Sequence, residues 1–89
     1  MAKVVYYRGD VQGVGFRATA AWIARRNPAI RGWVRNLADG QVELLADGPN
    51  QAVAAYLSDV RDRMAPHIEA EDITDRESDD AIVGFRIVG

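Results

Sequence analysis

Cysteine is missing from this sequence altogether, and histidine occurs once, at His67. Without cysteine there is no disulfide framework, no thiolate metal ligand and no cysteine nucleophile. His67 follows Pro66 in an expected loop, with no carboxylate or cysteine pattern beside it, and reads as solvated rather than catalytic. Long apolar runs are missing too. The start, Met1 to Arg8, is too short for a signal peptide, and no stretch approaches a membrane span, so a soluble cytoplasmic protein is expected. A strong positive charge is also lacking. The net charge of −2 argues against broad nucleic-acid binding, which relies on many phosphate-neutralising cations. Internal repeats and linkers are absent, and 89 residues make one domain, 1–89.

What is present is ordinary globular composition, 48% hydrophobic and 27% charged, which argues against disorder. The charge is unevenly spread. Residues 1–36 carry a net +6, with Asp10 their only acid, and residues 37–89 carry a net −8. An anionic ligand would be steered to the first part. That part holds the run Gly9-Asp10-Val11-Gln12-Gly13-Val14-Gly15-Phe16-Arg17. Its glycines permit sharp turns and positive φ, so several N–H groups can be aimed into one concavity. A helix opening after them adds unpaired N–H groups and the positive end of its dipole. Arg17 adds a permanent cation with a five-donor fork. Together these describe a phosphate-sized anion site. The Gly-Lys-Ser/Thr ending of a Walker A loop is not there. From spacing alone, a plain Gly-rich turn with a surface arginine fits the residues equally well.

Elements follow from periodicity. Lys3 to Arg8 reads as a strand, with Val5 and Tyr7 on one face and Val4, Tyr6 and Arg8 on a wetter one. Phe16, Ala20, Ile23 and Ala24 form the apolar stripe of a helix over 16–26, stopped at Asn27-Pro28. Arg25 and Arg26 complement the end of its dipole. Arg31 to Asn36 is a strand with Trp33 and Arg35 on one face and Val34 and Asn36 on the other. Asp39-Gly40 signals a hairpin into a strand over 41–47. Gly48-Pro49 opens a second helix, with Pro49 at a plausible first helical position, and Pro66 stops it. Val53, Tyr56, Leu57, Val60 and Met64 are its core stripe. Residues 68–75 make a weaker strand at an edge or with a bulge. Its acids Glu69, Glu71, Asp72 and Asp75 suit edge protection better than a metal site, because no histidine is interleaved and no calcium-loop spacing occurs. Residues 81–88 close the chain as a strand with Phe85 and Ile87 inward. The order is βαββαβ. It predicts an α+β, ferredoxin-like sandwich, a mostly antiparallel sheet of four to five strands with both helices on one face.

The loop run, then Gly32-Trp33-Val34-Arg35-Asn36, Asp39-Gly40, Gly48 and Gly84-Phe85, resembles the acylphosphatase family over nearly the whole chain. The resemblance implies hydrolysis of acyl phosphates to carboxylate and inorganic phosphate. It implies that the backbone of Val11, Gln12, Gly13, Val14 and Gly15 holds the phosphoryl group together with Arg17, and that Asn36 positions the attacking water. It implies no metal and no organic cofactor, with the substrate's own phosphate taking the water's proton. The partners it implies are the acyl phosphate and inorganic phosphate, as product and inhibitor; charge and hydropathy add the expectation of no nucleic acid and no membrane, and a monomer is expected. Asp10 falls where the family varies, and the link Asn27 to Arg31 lacks the more usual glycine. Two other readings remain open. One is an RNA-binding module of the same element order, although Gly13-Val14-Gly15-Phe16 precedes a helix and lacks the aromatic between its glycines. The other is a non-catalytic anion-binding module of the same fold.

Overall fold

The computed structural model describes residues 1–89. Strand β1 is Ala2–Gly9, helix α1 Phe16–Arg25, β2 Arg31–Asn36, β3 Val42–Asp47, helix α2 Asn50–Met64, β4 Ile68–Arg76 and β5 Phe85–Ile87. The strands form one sheet in the order β4-β1-β3-β2-β5. Only the β2–β5 pair is parallel. The expected α+β, ferredoxin-like sandwich is therefore the observed one, with five strands.

Alternation decides which side chains meet. Val5 and Tyr7 of β1, Val34 of β2, and Val42, Leu44 and Ala46 of β3 form one buried cluster with the stripes of both helices. Every residue expected in those stripes, Phe16, Ala20, Ile23 and Ala24 on α1 and Val53, Tyr56, Leu57, Val60 and Met64 on α2, is buried there. Each large apolar side chain removed from water contributes roughly 1.5–3 kcal/mol before entropy is counted. Tyr56 also donates its hydroxyl to the Ala20 carbonyl at 2.8 Å, which ties α2 to α1 through a satisfied buried donor. The opposite sheet face is wetter but not bare: Ala2, Val4 and Leu45 are buried there beside Tyr6, Trp33 and Ile82.

Some boundaries differ from expectation. Pro49 stands before α2, as its cap, rather than inside its first turn. The helix ends at Met64, and Pro66 sits in a short 3-10 turn, Ala65–His67. Strand β4 is an edge strand with the expected irregularity. Arg8 faces Ala70 while Gly9 faces Ile68, so Glu69 is the extra residue. Its acids pair with neighbours: Glu71 with Arg61, Asp72 with Arg8, and Asp75 with Lys3. The last strand is much shorter than the alternation over 81–88 predicts. The approach to β5 is tied down by side chains rather than by a ladder. Ser78 and the Asp79 N–H donate to Asp47, and Arg31 donates to the Ile82 carbonyl. Gly84, at φ 68°, then turns the chain into β5.

Candidate active site

The chain leaves β1 at Gly9 and enters α1 at Phe16, and the residues between form a loop at one end of the sheet. Gly13 and Gly15 adopt φ of 78° and 80°. A Cβ at either would meet nothing within 4 Å, so the demand is conformational, not steric. An ordinary L-residue there would cost about 1–2 kcal/mol. Gly15 is also the cap of α1, and it offers no side chain to the first-turn N–H groups, nor does any acid stand in that turn. None of the amides from Val11 to Gly15 donates to another backbone carbonyl. The loop therefore presents a run of donors that the protein itself leaves unpaired, next to the positive end of a helix dipole.

Two side chains converge on the same concavity. Arg17 sits in the first turn of α1 and Asn36 ends β2, and both line a cavity of about 220 Å³ with Val11, Gly13, Gly15, Phe16, Ala18 and Ile87. Arg17 joins none of the ion pairs. It is the only charged residue in the lining, so the local field is positive. Asn36 occupies the end of β2 on the face it shares with Val34, which is why its carboxamide looks toward the helix side. Its neighbour Arg35 points to the other face, stacked at 5.2 Å over the Trp33 ring and bonded to Glu43 at 2.6 Å. No buried side-chain nitrogen or oxygen lacks a partner, so the free side-chain donors of this site, on Arg17 and Asn36, are within reach of solvent.

The sequence-predicted residues separate into those lining the cavity and those supporting it. Val11, Gly13, Gly15, Arg17 and Asn36 are brought together. Gln12 and Val14 do not bring their side chains into the lining. The Gln12 amide donates to the carbonyls of Leu37 and Gln41, at 2.8 and 2.9 Å, and so ties the loop to the β2–β3 turn just beyond Asn36. Val14 packs on the core. Asp10 is exposed and His67 half-buried, and both lie outside the lining. Three further residues, Phe16, Ala18 and Ile87, complete the lining. Phe16 and Ala18 follow from the helix start. Ile87 carries no sequence signal, because only the parallel pairing of β5 with β2 brings residue 87 to this end of the sheet. The lining contains no carboxylate, imidazole or amine, so a reaction here draws on hydrogen-bond donors and one cation. No group of three or more histidine, aspartate or glutamate side chains gathers to hold a metal ion, and no helix is long and apolar enough to cross a membrane.

Comparison with known proteins points the same way. A family model described as Acylphosphatase matches residues 3–87. The acylphosphatase of Salinibacter ruber is 40% identical over 80 residues, covering 89% of this chain and 83% of that protein. A shorter match, 57% identical over 49 residues, relates it to the acylphosphatase of an Anaeromyxobacter species and spans 55% of this chain and 52% of that one. Among solved structures, the acylphosphatase of Bacillus subtilis superimposes with a TM-score of 0.85 at 30% identity, over the full length of both chains.

Proposed function

This chain belongs to the acylphosphatase family, and from that premise we propose that the Val11–Gly15 amides and Arg17 hold the phosphoryl group of an acyl phosphate while Asn36 orients the attacking water. The activity is that of an acylphosphatase: it hydrolyses acyl phosphates to carboxylate and inorganic phosphate. The observation that carries the residue roles is the meeting of an unpaired arginine, an asparagine and unpaired loop amides in one cavity.

The chemistry suits so sparse a site. Water attacks phosphorus, the bond from phosphorus to the acyl oxygen breaks, and the leaving carboxylate departs in line with the incoming oxygen. One water proton passes to a phosphoryl oxygen, so a doubly charged acyl phosphate and water become carboxylate and dihydrogen phosphate without a protein base. The protein's part is to bind the equatorial oxygens where charge develops and to fix the direction of attack. Arg17, as a planar fork, grips two oxygens at once, for roughly 1.5–3 kcal/mol per charge-assisted bond. Asn36 has one acceptor and one donor group on a rigid strand end, suited to holding a water by its proton and its oxygen.

We read the protein further as a cytoplasmic monomer that acts without nucleic acid. Absent cysteine and the acid-lined edge of β4 support that reading. The deciding experiment is hydrolysis of benzoyl and acetyl phosphate by purified protein in chelator, with inorganic phosphate as competitive inhibitor. Asn36→Ala is expected to lower kcat about 10²–10³-fold while inorganic phosphate still binds. Full kcat in a folded Asn36→Ala protein would remove asparagine from its role. Elution at dimer mass, or a salt-dependent shift with RNA, would overturn the monomer and partner readings.

A further inference from the structure

The cavity has two unlike halves. Loop amides, Arg17 and Asn36 make one half polar. The apolar lining is Val11, Phe16, Ala18 and Ile87, of which Val11 and Phe16 are buried and form the floor. The apolar surface left at the rim is therefore the Ala18 methyl and the Ile87 side chain, which remains 45% exposed. Ile87 is out of place for a structural residue. Alternation along β5 puts Phe85 and Ile87 on one face. Phe85 reaches the core and meets Tyr56 edge-on, with ring centroids 5.8 Å apart. Ile87, two residues on and paired in register with the core residue Val34, lies on the edge strand of the sheet, stays partly exposed there and stands at the cavity.

We propose that Ile87 is the specificity-determining wall for the acyl group, and that it biases the enzyme toward acyl phosphates with a bulky apolar or aromatic acyl part. This rests on the phosphoryl group lying in the polar half. An acyl group leaving that half has one large apolar side chain to lie against, and burying the exposed part of Ile87 favours the larger acyl group. Ile87 is held firmly for such a task. Val88 donates to the Val34 carbonyl, Gly32 donates to the Gly84 carbonyl, and these bonds lock β5 on β2 at both of its ends.

The test compares Ile87→Ala and Ile87→Gln with the unaltered protein on benzoyl and acetyl phosphate. The ratio of kcat/KM for benzoyl over acetyl phosphate is expected to fall about tenfold in both variants, in the range seen when apolar contact to a substrate is removed. The inhibition constant of inorganic phosphate, which has no acyl part, is expected to move less than about twofold. A ratio left unchanged, or an equal loss on both substrates, would overturn the assignment of Ile87, the second because the residue would then shape the water's side instead. Failure of the unaltered protein to hydrolyse either compound would overturn the acylphosphatase site itself, a result distinct from both. Ile87→Gln keeps the size and the strand while removing the apolar contact, so loss of the ratio in that variant cannot be ascribed to a collapsed strand.

Discussion

The two ends of the β2–β3 hairpin deal with charge in opposite ways. At one end Arg31 faces Asp47 in register, and the fully buried Asp47 carboxylate is met by Arg31 at 3.1 Å, by the Ser78 hydroxyl at 2.7 Å and by the Asp79 N–H at 3.0 Å. At the other end Asn36 faces Val42, and beside it Arg17, the loop amides and the uncapped start of α1 have no partner within the protein. The first end resembles the inside of any stable domain, where buried polar groups are satisfied. The second holds donors in fixed directions without satisfying them. Water screens those donors at little cost to stability, and an anion can replace the water. A structural ion site is thus told from a binding site by whether its partners come from the chain.

The contrast makes opposite demands on substitutions at the two ends. The largest effect is expected at the open end. Arg17→Ala should lower kcat/KM for benzoyl phosphate about 10²–10³-fold. Because Arg17 makes no ion pair, the thermal midpoint should move by no more than about 3 °C. Arg17→Lys should also be impaired, since a point charge does not replace a planar fork. A large drop in melting temperature with Arg17→Ala would erase the contrast, because Arg17 would then be structural.

The closed end should behave in reverse. Asp47→Asn should cost roughly 2 kcal/mol in urea unfolding, less than breaking a fully buried pair because Arg31 keeps access to water. Burial pushes the Asp47 carboxyl up, but the Ser78 hydroxyl, the Asp79 N–H and the Arg31 guanidinium outweigh it and hold the group below the usual carboxylate range. A lowered folded value means the stabilisation is complete above the unfolded-chain value of about 3.9 and is lost as pH falls through the lower folded value. Acid unfolding followed by circular dichroism should therefore be less steep below about pH 4 in Asp47→Asn. An unchanged acid limb would locate the acid sensitivity elsewhere.

The smallest effect is expected at Asp10, a charge close to the open end in sequence but exposed and outside the cavity lining. Asp10→Asn should change the inhibition constant of inorganic phosphate by less than about threefold at physiological ionic strength, where exposed charges are screened within about 8 Å. A tenfold gain in affinity would sharpen the comparison differently, by making Asp10 a brake on the site.

Most of the scaffold could be read from the chain. The stripes Phe16-Ala20-Ile23-Ala24 and Val53-Tyr56-Leu57-Val60-Met64 are the buried faces of α1 and α2, because apolar spacing fixes which side of a helix faces a sheet. Arg31 to Asn36 came out with its faces and bounds as expected, since alternation is a local property. The final strand did not. The pattern over 81–88 looks like a strand, yet only Phe85–Ile87 pairs, because Asp47 and Arg31, distant in sequence, hold the preceding segment with side chains.

The sequence by itself determined the βαββαβ order, the two core stripes, the Gly-rich loop and the family. All of these rest on local periodicity, on backbone freedom at Gly13 and Gly15, or on motifs readable in one pass. Only the tertiary structure decided that Arg17 and Asn36 share a cavity free of carboxylates, and that Gln12 braces the loop rather than facing the cavity. It alone brought Ile87 from the far end of the chain to the site, through the parallel pairing of β5 with β2. Strand pairing sets neighbours across dozens of residues, and local spacing carries no record of which strand ends up beside which.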